Sequence, residues 1–191
     1  MLARQKAIAI LTKCGQGAQW TKHCFAVADA AVRVGLSLEP HRSVDCAFLW
    51  SAALLHDIGR HVTQDPVLHG VEGYKFLSAR GHHKEARICA SHILFGLKAE
   101  EAVQFGLPAR DFVPRTIEEQ VVTLVDFLIE FDQPTTLERR FSSLRRRNAD
   151  NPYFLERLDR AFGSATSFSE QIEQDIGGSV ERIVALQDQP S

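Results

Sequence analysis

The chain has 191 residues, 45% of them apolar and 24% charged, ordinary proportions for a globular protein with enough length to bury a core unaided. These values exclude a disordered or collagen-like chain and predict one domain. A formal charge of −2 provides no overall attraction to nucleic acid or anionic membranes.

Nearly every periodic segment has helical spacing and none alternates as a strand does, so the predicted fold class is all-α. The first helix is expected over 2–14, stopped by Gly15 and Gly17, and the second over 19–34, with Trp20, Val27, Ala31 and Val34 on one stripe. A third, at 42–57, is apolar all round from Ala47 to Leu55, the pattern of a helix at the centre of a fold. Residues 59–68 read as a loop, 70–79 and 83–94 as short helices, and 96–115, broken by glycines and prolines, as a connector. Thr116 and Glu119 form an expected capping box for a helix ending near Asp132. Helices at 135–147, 152–162 and 167–187 complete the reading. The expected organisation is a core over 1–132 and a C-terminal helical extension, 133–191, packed on the same domain.

Cys14, Cys24, Cys46 and Cys89 show no CxxC spacing and sit among apolar neighbours, which reads as reduced core thiols in a cytoplasmic chain. The longest uncharged apolar run, 46–55, falls far short of the ~20 residues that span a bilayer, so no membrane partner is expected.

The informative residues interrupt apolar patterns. His56 and Asp57 end the most hydrophobic helix, where an ionised carboxylate needs a strong partner. Asp126 is the one charge between Val121 and Ile129, and His23 and His92 each lie on an apolar helix face. His69 opens a helix whose Gly70 and Gly73 permit close approach. A single histidine of this kind is more often a hydrogen-bonded core residue than a ligand. Together, the set offers imidazoles and carboxylates from separate helices without a thiolate, which suits Mn, Fe, Ni, Zn or, with more water ligands, Mg.

The order His23, then His56-Asp57, then Asp126 resembles the H…HD…D pattern of the HD-domain superfamily, and Ala53 to Arg60 (ALLHDIGR) resembles its HDIG signature. The segments His69 to Gly73 and Ala90 to His92 resemble its later histidine elements. The tract Glu100 to Asp126 is similar to a small HDIG subgroup of unassigned function in archaea and bacteria. This resemblance implies an HD-domain helical bundle and a metal-dependent phosphohydrolase holding one or two divalent ions. Carried over by position, His23, His56, Asp57 and Asp126 hold one metal. His69 and His92 either bind a second one, bridged by Asp57, or face the substrate phosphate. Asp57 is the implied catalytic residue that orients a water and takes its proton, and Arg60 the candidate phosphate contact. Relatives often place lysine after the last aspartate; here it is Phe127, which weakens a nucleotide assignment.

Arg139, Arg140, Arg145, Arg146, Arg147, Arg157 and Arg160 alternate with acidic residues and read as a solvated helix face. Few aromatics lie between them, which argues against RNA binding. His41, His61, His82 and His83 read as surface residues. The expected substrate is a small phosphorylated molecule such as a nucleotide, and the sequence leaves a homo-oligomer open. Two alternatives use the same residues: an HD-fold diiron oxygenase, and a non-catalytic metal-stabilised binding module.

Overall fold

In the computed structural model, which describes residues 2–186, the chain folds as the all-α bundle expected. Its first three helices are α1 (Arg4–Gly15), α2 (Gln19–Leu38) and α3 (Cys46–Leu55). The middle of the chain contributes α4 (Leu68–Ser78), α5 (His83–Ser91), α6 (Ala99–Gln104) and α7 (Ile117–Phe127). The last part forms α8 (Leu137–Arg147), α9 (Pro152–Ile176) and α10 (Val180–Ala185). The uniformly apolar α3 lies centrally, packed by α1, α2, α5 and α7, with every residue from Leu49 to Leu55 buried. Burying both faces of one helix lets its C-terminal end project polar groups into the interior, where His56 and Asp57 stand.

Boundaries depart from expectation for local reasons. Helix α3 starts at Cys46 rather than 42 because the Asp45 carboxylate accepts from the Phe48 N–H at 2.9 Å and caps it. It ends at Leu55, and a 3₁₀ turn, Ile58–His61, follows, so His56 and Asp57 lie in the tightened junction. The capping box at Thr116 is only half formed. Thr116 accepts from the Glu119 N–H, but the Glu119 carboxylate turns to Arg87 and to the Arg115 N–H, both at 2.7 Å. Helix α7 stops at Phe127, and Ile129–Glu130 pairs antiparallel with Gln133–Pro134 in a two-stranded ribbon that the helical pattern concealed. The expected break between 162 and 167 is absent: Ala161, Ala165, Phe168 and Ile172 form one buried stripe that carries α9 through Gly163. Phe141, Phe154 and Leu158 of α8 and α9 join the same core as α2 and α3.

Two glycines set how closely the site-bearing segments approach. A Cβ on Gly59 would lie 1.8 Å from the His69 carbonyl oxygen and 2.5 Å from the Gly73 nitrogen. One on Gly70 would lie 2.2 Å from the Cys89 carbonyl oxygen. Helix α4 therefore rests backbone-to-backbone on the 3₁₀ turn and on α5, which brings His69 close to both Asp57 and His92.

The segment after α5 is strained. Leu94 and Phe95 both have left-handed backbones, with φ of 47° and 60°, a conformation that costs non-glycine residues of order 1 kcal/mol or more each. Arg157, buried on α9 rather than solvated as its sequence neighbourhood implied, donates to the Gly96 carbonyl and to Glu101. The Leu97–Phe112 bridge fixes the segment's far end. Burial alone would raise the Glu101 carboxyl, but Arg157 and the Lys98 N–H hold it below the usual carboxylate range.

Two outcomes are expected. Gly59→Ala should destabilise the protein by about 3 kcal/mol, since backbone rather than flexible side chain obstructs the methyl; urea unfolding at pH 7 measures it. Arg157→Met should cost about 2 kcal/mol at pH 7. A depressed folded pKa adds stability that is complete above the unfolded value and disappears as pH falls through the folded one. The variant should therefore lose less on acidification than the parent, as unfolding curves at pH 7 and pH 4 will read.

Candidate metal centre

Five side chains that the sequence singled out are almost wholly buried: His23, His56, Asp57, His69 and His92. The sixth, Asp126, has 15% of its side chain exposed. They come from α2, the α3 junction, the start of α4, the end of α5 and α7, and the structure brings all six together. Their contacts fall into two halves around His56. On one side, Asp126 Oδ1 lies 2.9 Å from His23 Nε2 and 3.5 Å from His56 Nε2. On the other, Asp57 Oδ1 lies 2.9 Å from His69 Nε2 and 3.6 Å from His92 Nε2, while Oδ2 is 3.8 Å from His56 Nε2. His69 Nε2 and His92 Nε2 are 3.2 Å apart.

The orientation of the rings decides what this cluster can do. Each imidazole has Nδ1 on a backbone carbonyl: His23 on Phe131 at 2.7 Å, His56 on Ala53 at 2.7 Å, His69 on Asp65 at 2.8 Å and His92 on Ile88 at 3.2 Å. A carbonyl only accepts, so each Nδ1 carries a proton, and each ring when neutral presents a lone pair at Nε2; a ring protonated there instead donates, as from His23 to Asp126. All four Nε2 atoms point at one another and at two carboxylates. The interior thus holds six acceptors turned inward, and acceptors in contact repel unless a cation or shared proton lies between them. Two buried atoms, His56 Nε2 and Asp57 Oδ1, have no hydrogen-bond partner; His69 sits 2.9 Å from the latter but without hydrogen-bond alignment.

Two overlapping groups have their donor atoms within 4.8 Å of one another, His23–His56–Asp126 and His56–Asp57–His92. The donor set and the orphaned atoms both fit a divalent ion. Backbone hydrogen bonds that fix the ring and tautomer, as here, are what histidine ligands require.

Electrostatics agree. Burial pushes the Asp57 carboxyl upward, but Arg60, His69 and His56 outweigh it and hold it well below the usual carboxylate range. For Asp126, burial is likewise outweighed by His23 and His56. Burial, reinforced by Arg60, lowers His69 below its ordinary value. Arg60 does not stand free as a phosphate contact: its Nε engages Asp57 Oδ2, and the guanidinium edge lines the neighbouring cavities. No thiol competes as a nucleophile. All four cysteines are unpaired, burial raises Cys24 and Cys89 well above the usual range, and burial together with Glu39 pushes Cys46 up to about 11.

The cluster opens on two cavities. One, of about 240 Å³, joins His69, His92 and Asp126 to an apolar wall including Ile93, Leu94, Phe127 and Phe154. The other, of about 310 Å³, joins His23 and Asp57 to Trp20 and Phe131. Phe131 is 62% exposed and left-handed, φ 59°, and its strained backbone is what aims its carbonyl at His23. Arg140 and Arg147 line both cavities, where sequence reasoning had placed them on a solvated face. Their seven-residue spacing around the half-buried Leu144 was the one signal that could have found them. His61 packs edge-to-face against Phe76.

Among known proteins, an uncharacterised protein of Methanocaldococcus jannaschii is 38% identical over 128 residues, covering 65% of this chain and 74% of that one. A protein of Thermoplasma volcanium named tRNA (cytidine(56)-2'-O)-methyltransferase is 31% identical over 148 residues, 77% of this chain but 42% of the relative. One of the same name from Picrophilus torridus is 32% identical over 128 residues, 66% and 36% respectively. The chain thus spans less than half the length of these two methyltransferases. No solved structure matches it. The HD domain family matches residues 20–129, a span that holds all six clustered side chains, and the chain belongs to that family.

Proposed function

We propose that this protein is a metal-dependent phosphohydrolase acting on a phosphate ester or anhydride of a small molecule, a nucleotide being the leading class. The observation that carries the reading is the inward convergence of six buried acceptors, two of them without partners, beside the guanidinium of Arg60. In this reading His23, His56, Asp57 and Asp126 hold one divalent ion, and His69 and His92 either complete a second site with Asp57 or contact the substrate. An ion so held supplies Lewis acidity and lowers the pKa of water.

The chain's own residues do the rest. Asp57, kept ionised by its neighbours, accepts a hydrogen bond from the attacking water and orients it toward phosphorus. His69 and His92, buried and with Nε2 lone pairs exposed to the cavity, are placed to accept its proton or to steady the leaving oxygen. Arg60 holds Asp57 in position and offers its remaining N–H groups to phosphate oxygens. The apolar wall excludes water behind the reacting group.

The two ligand groups share His56 Nε2, which serves one ion, but Asp57 with His69 and His92 on the far side offers donors for a second, and this keeps the diiron oxygenase as a second reading. The test is metal content of anaerobically purified protein, followed by assay of a phosphomonoester, nucleotide and dinucleotide panel with Mn²⁺, Fe²⁺, Co²⁺ or Ni²⁺. Transfer RNA belongs in the panel because two relatives bear a tRNA-methyltransferase name. Hydrolysis that needs metal is expected, with Asp57→Asn lowering kcat by about 10³-fold or more. Saturating metal should stabilise the parent by about 3 kcal/mol at a hundredfold excess over Kd, and His56→Ala should abolish that gain in a thermal melt. Absence of any metal- and Asp57-dependent hydrolysis would sink the phosphohydrolase, and two irons with substrate-dependent O₂ uptake would put the oxygenase in its place.

A further inference from the structure

Helix α8 lies outside the residues that match the family, yet it closes the mouth of the His–Asp cluster. It is docked from within: Phe141 packs on Phe127 with ring centroids 4.6 Å apart, and Phe127 itself lines the cavity that reaches His69, His92 and Asp126. On the same face, Arg140 and Arg147 flank Leu144, and both arginines line both cavities together with Arg60.

The charges there do not balance. Arg147 Nη2 lies 2.7 Å from Glu130 Oε1, and Arg140 Nη1 lies 3.6 Å from that same oxygen, which also accepts from Ser143. One carboxylate therefore serves two guanidiniums. Arg140 is only 12% exposed, and its Nε is buried without a partner. Burial and then Arg140 push the Arg147 guanidinium below its ordinary value, with Arg60 and Arg146 adding to the crowding. Asp57 engages Arg60 Nε through Oδ2, so the unbalanced charge rests on Arg140 and Arg147. Two guanidiniums that share one carboxylate, lining a cleft beside a third held by Asp57, form a site for an oxyanion.

We propose that Arg140 and Arg147, with Arg60, form a second anion subsite beside the His–Asp cluster, so that the substrate carries a second phosphate in addition to the one attacked. Placing the first phosphate at the cluster rests on the phosphohydrolase reading. The substrate class is a compact diphosphate or bisphosphate, its two phosphates spanning from the histidines to α8, and a lone phosphomonoester fills only half of the site.

Binding of non-hydrolysable probes to the Mn²⁺-loaded protein tests this by calorimetry. Methylenebisphosphonate should bind about a hundredfold more tightly than methylphosphonate. The double variant Arg140→Gln/Arg147→Gln should remove most of that preference while changing methylphosphonate affinity less than about threefold, at roughly tenfold per charge-assisted contact. Arg147→Gln alone, on an exposed side chain that tolerates change, should lose about tenfold. Arg139→Gln/Arg146→Gln, two exposed arginines of the same helix that line neither cavity, should leave the preference intact. A preference equal in parent and double variant, or lost equally in the Arg139/Arg146 control, overturns the subsite. Bisphosphonate binding through these arginines without hydrolysis of any panel member keeps the subsite and retires the phosphohydrolase. Hydrolysis of mono- and diphosphates at equal kcat/KM, unchanged in the double variant, does the reverse.

Discussion

The four imidazoles of the cluster are held by the same device, an Nδ1–H donated to a backbone carbonyl. The bond is local for His56, His69 and His92, whose acceptors lie three or four residues earlier in the chain. For His23 it is long-range, reaching Phe131 across the fold. Its consequence is collective. With every Nδ1 committed, every Nε2 faces inward toward the other rings and the two carboxylates, and His56 Nε2 and Asp57 Oδ1 are left without a partner. The histidines' partners thereby orient the cluster so that it could hold a divalent ion.

Much of the surrounding architecture serves to keep those carbonyls and rings in place. Gly59 and Gly70 let α4 settle against backbone, and without that approach His69 would stand too far from Asp57 and His92. The left-handed residues Leu94, Phe95 and Phe131 lie at the two edges of the cluster, following His92 and facing His23. Strain of this kind persists only where neighbours over-determine it. Arg157 is such a neighbour: from the far helix α9 it pins the Gly96 carbonyl at the end of the strained segment. The C-terminal helices therefore support the geometry of a cluster to which they contribute no ligand candidate.

What could be read in the sequence follows the same division. Residues that break an apolar stripe are conspicuous, because burial of a charge needs explanation; His56, Asp57 and Asp126 stand out for that reason, and the six so marked are the six that meet. Helix type was legible from the period of α2 and α7. Helix ends were less so, since Asp45 as a cap and the 3₁₀ junction after Leu55 depend on one side-chain hydrogen bond and on tertiary approach. The ribbon at Ile129–Pro134 has two residues per strand, too short for any alternation to register. The expected break between 162 and 167 is overridden by the buried stripe of α9. Arginine is ambiguous by chemistry: its long stem allows a buried, lining or solvated place at the same sequence position, and Arg157, Arg140 and Arg139 occupy one of each.

Phe127 ties these strands together. The family resemblance leads one to expect a cation directly after the last aspartate, and an aromatic ring there looks like a loss of phosphate grip. The ring instead stacks between Phe95 and Phe141, joining the strained segment after His92 to helix α8. Arg140 immediately precedes Phe141 in that helix, so the contact that docks α8 also delivers a guanidinium to the cavity. Positive charge at the cluster's mouth is thereby supplied from outside the family-matched span, by a side chain whose placement depends on aromatic packing. If Arg140 and Arg147 take a second phosphate as proposed, the choice of substrate in this chain rests on a helix outside the family-matched span.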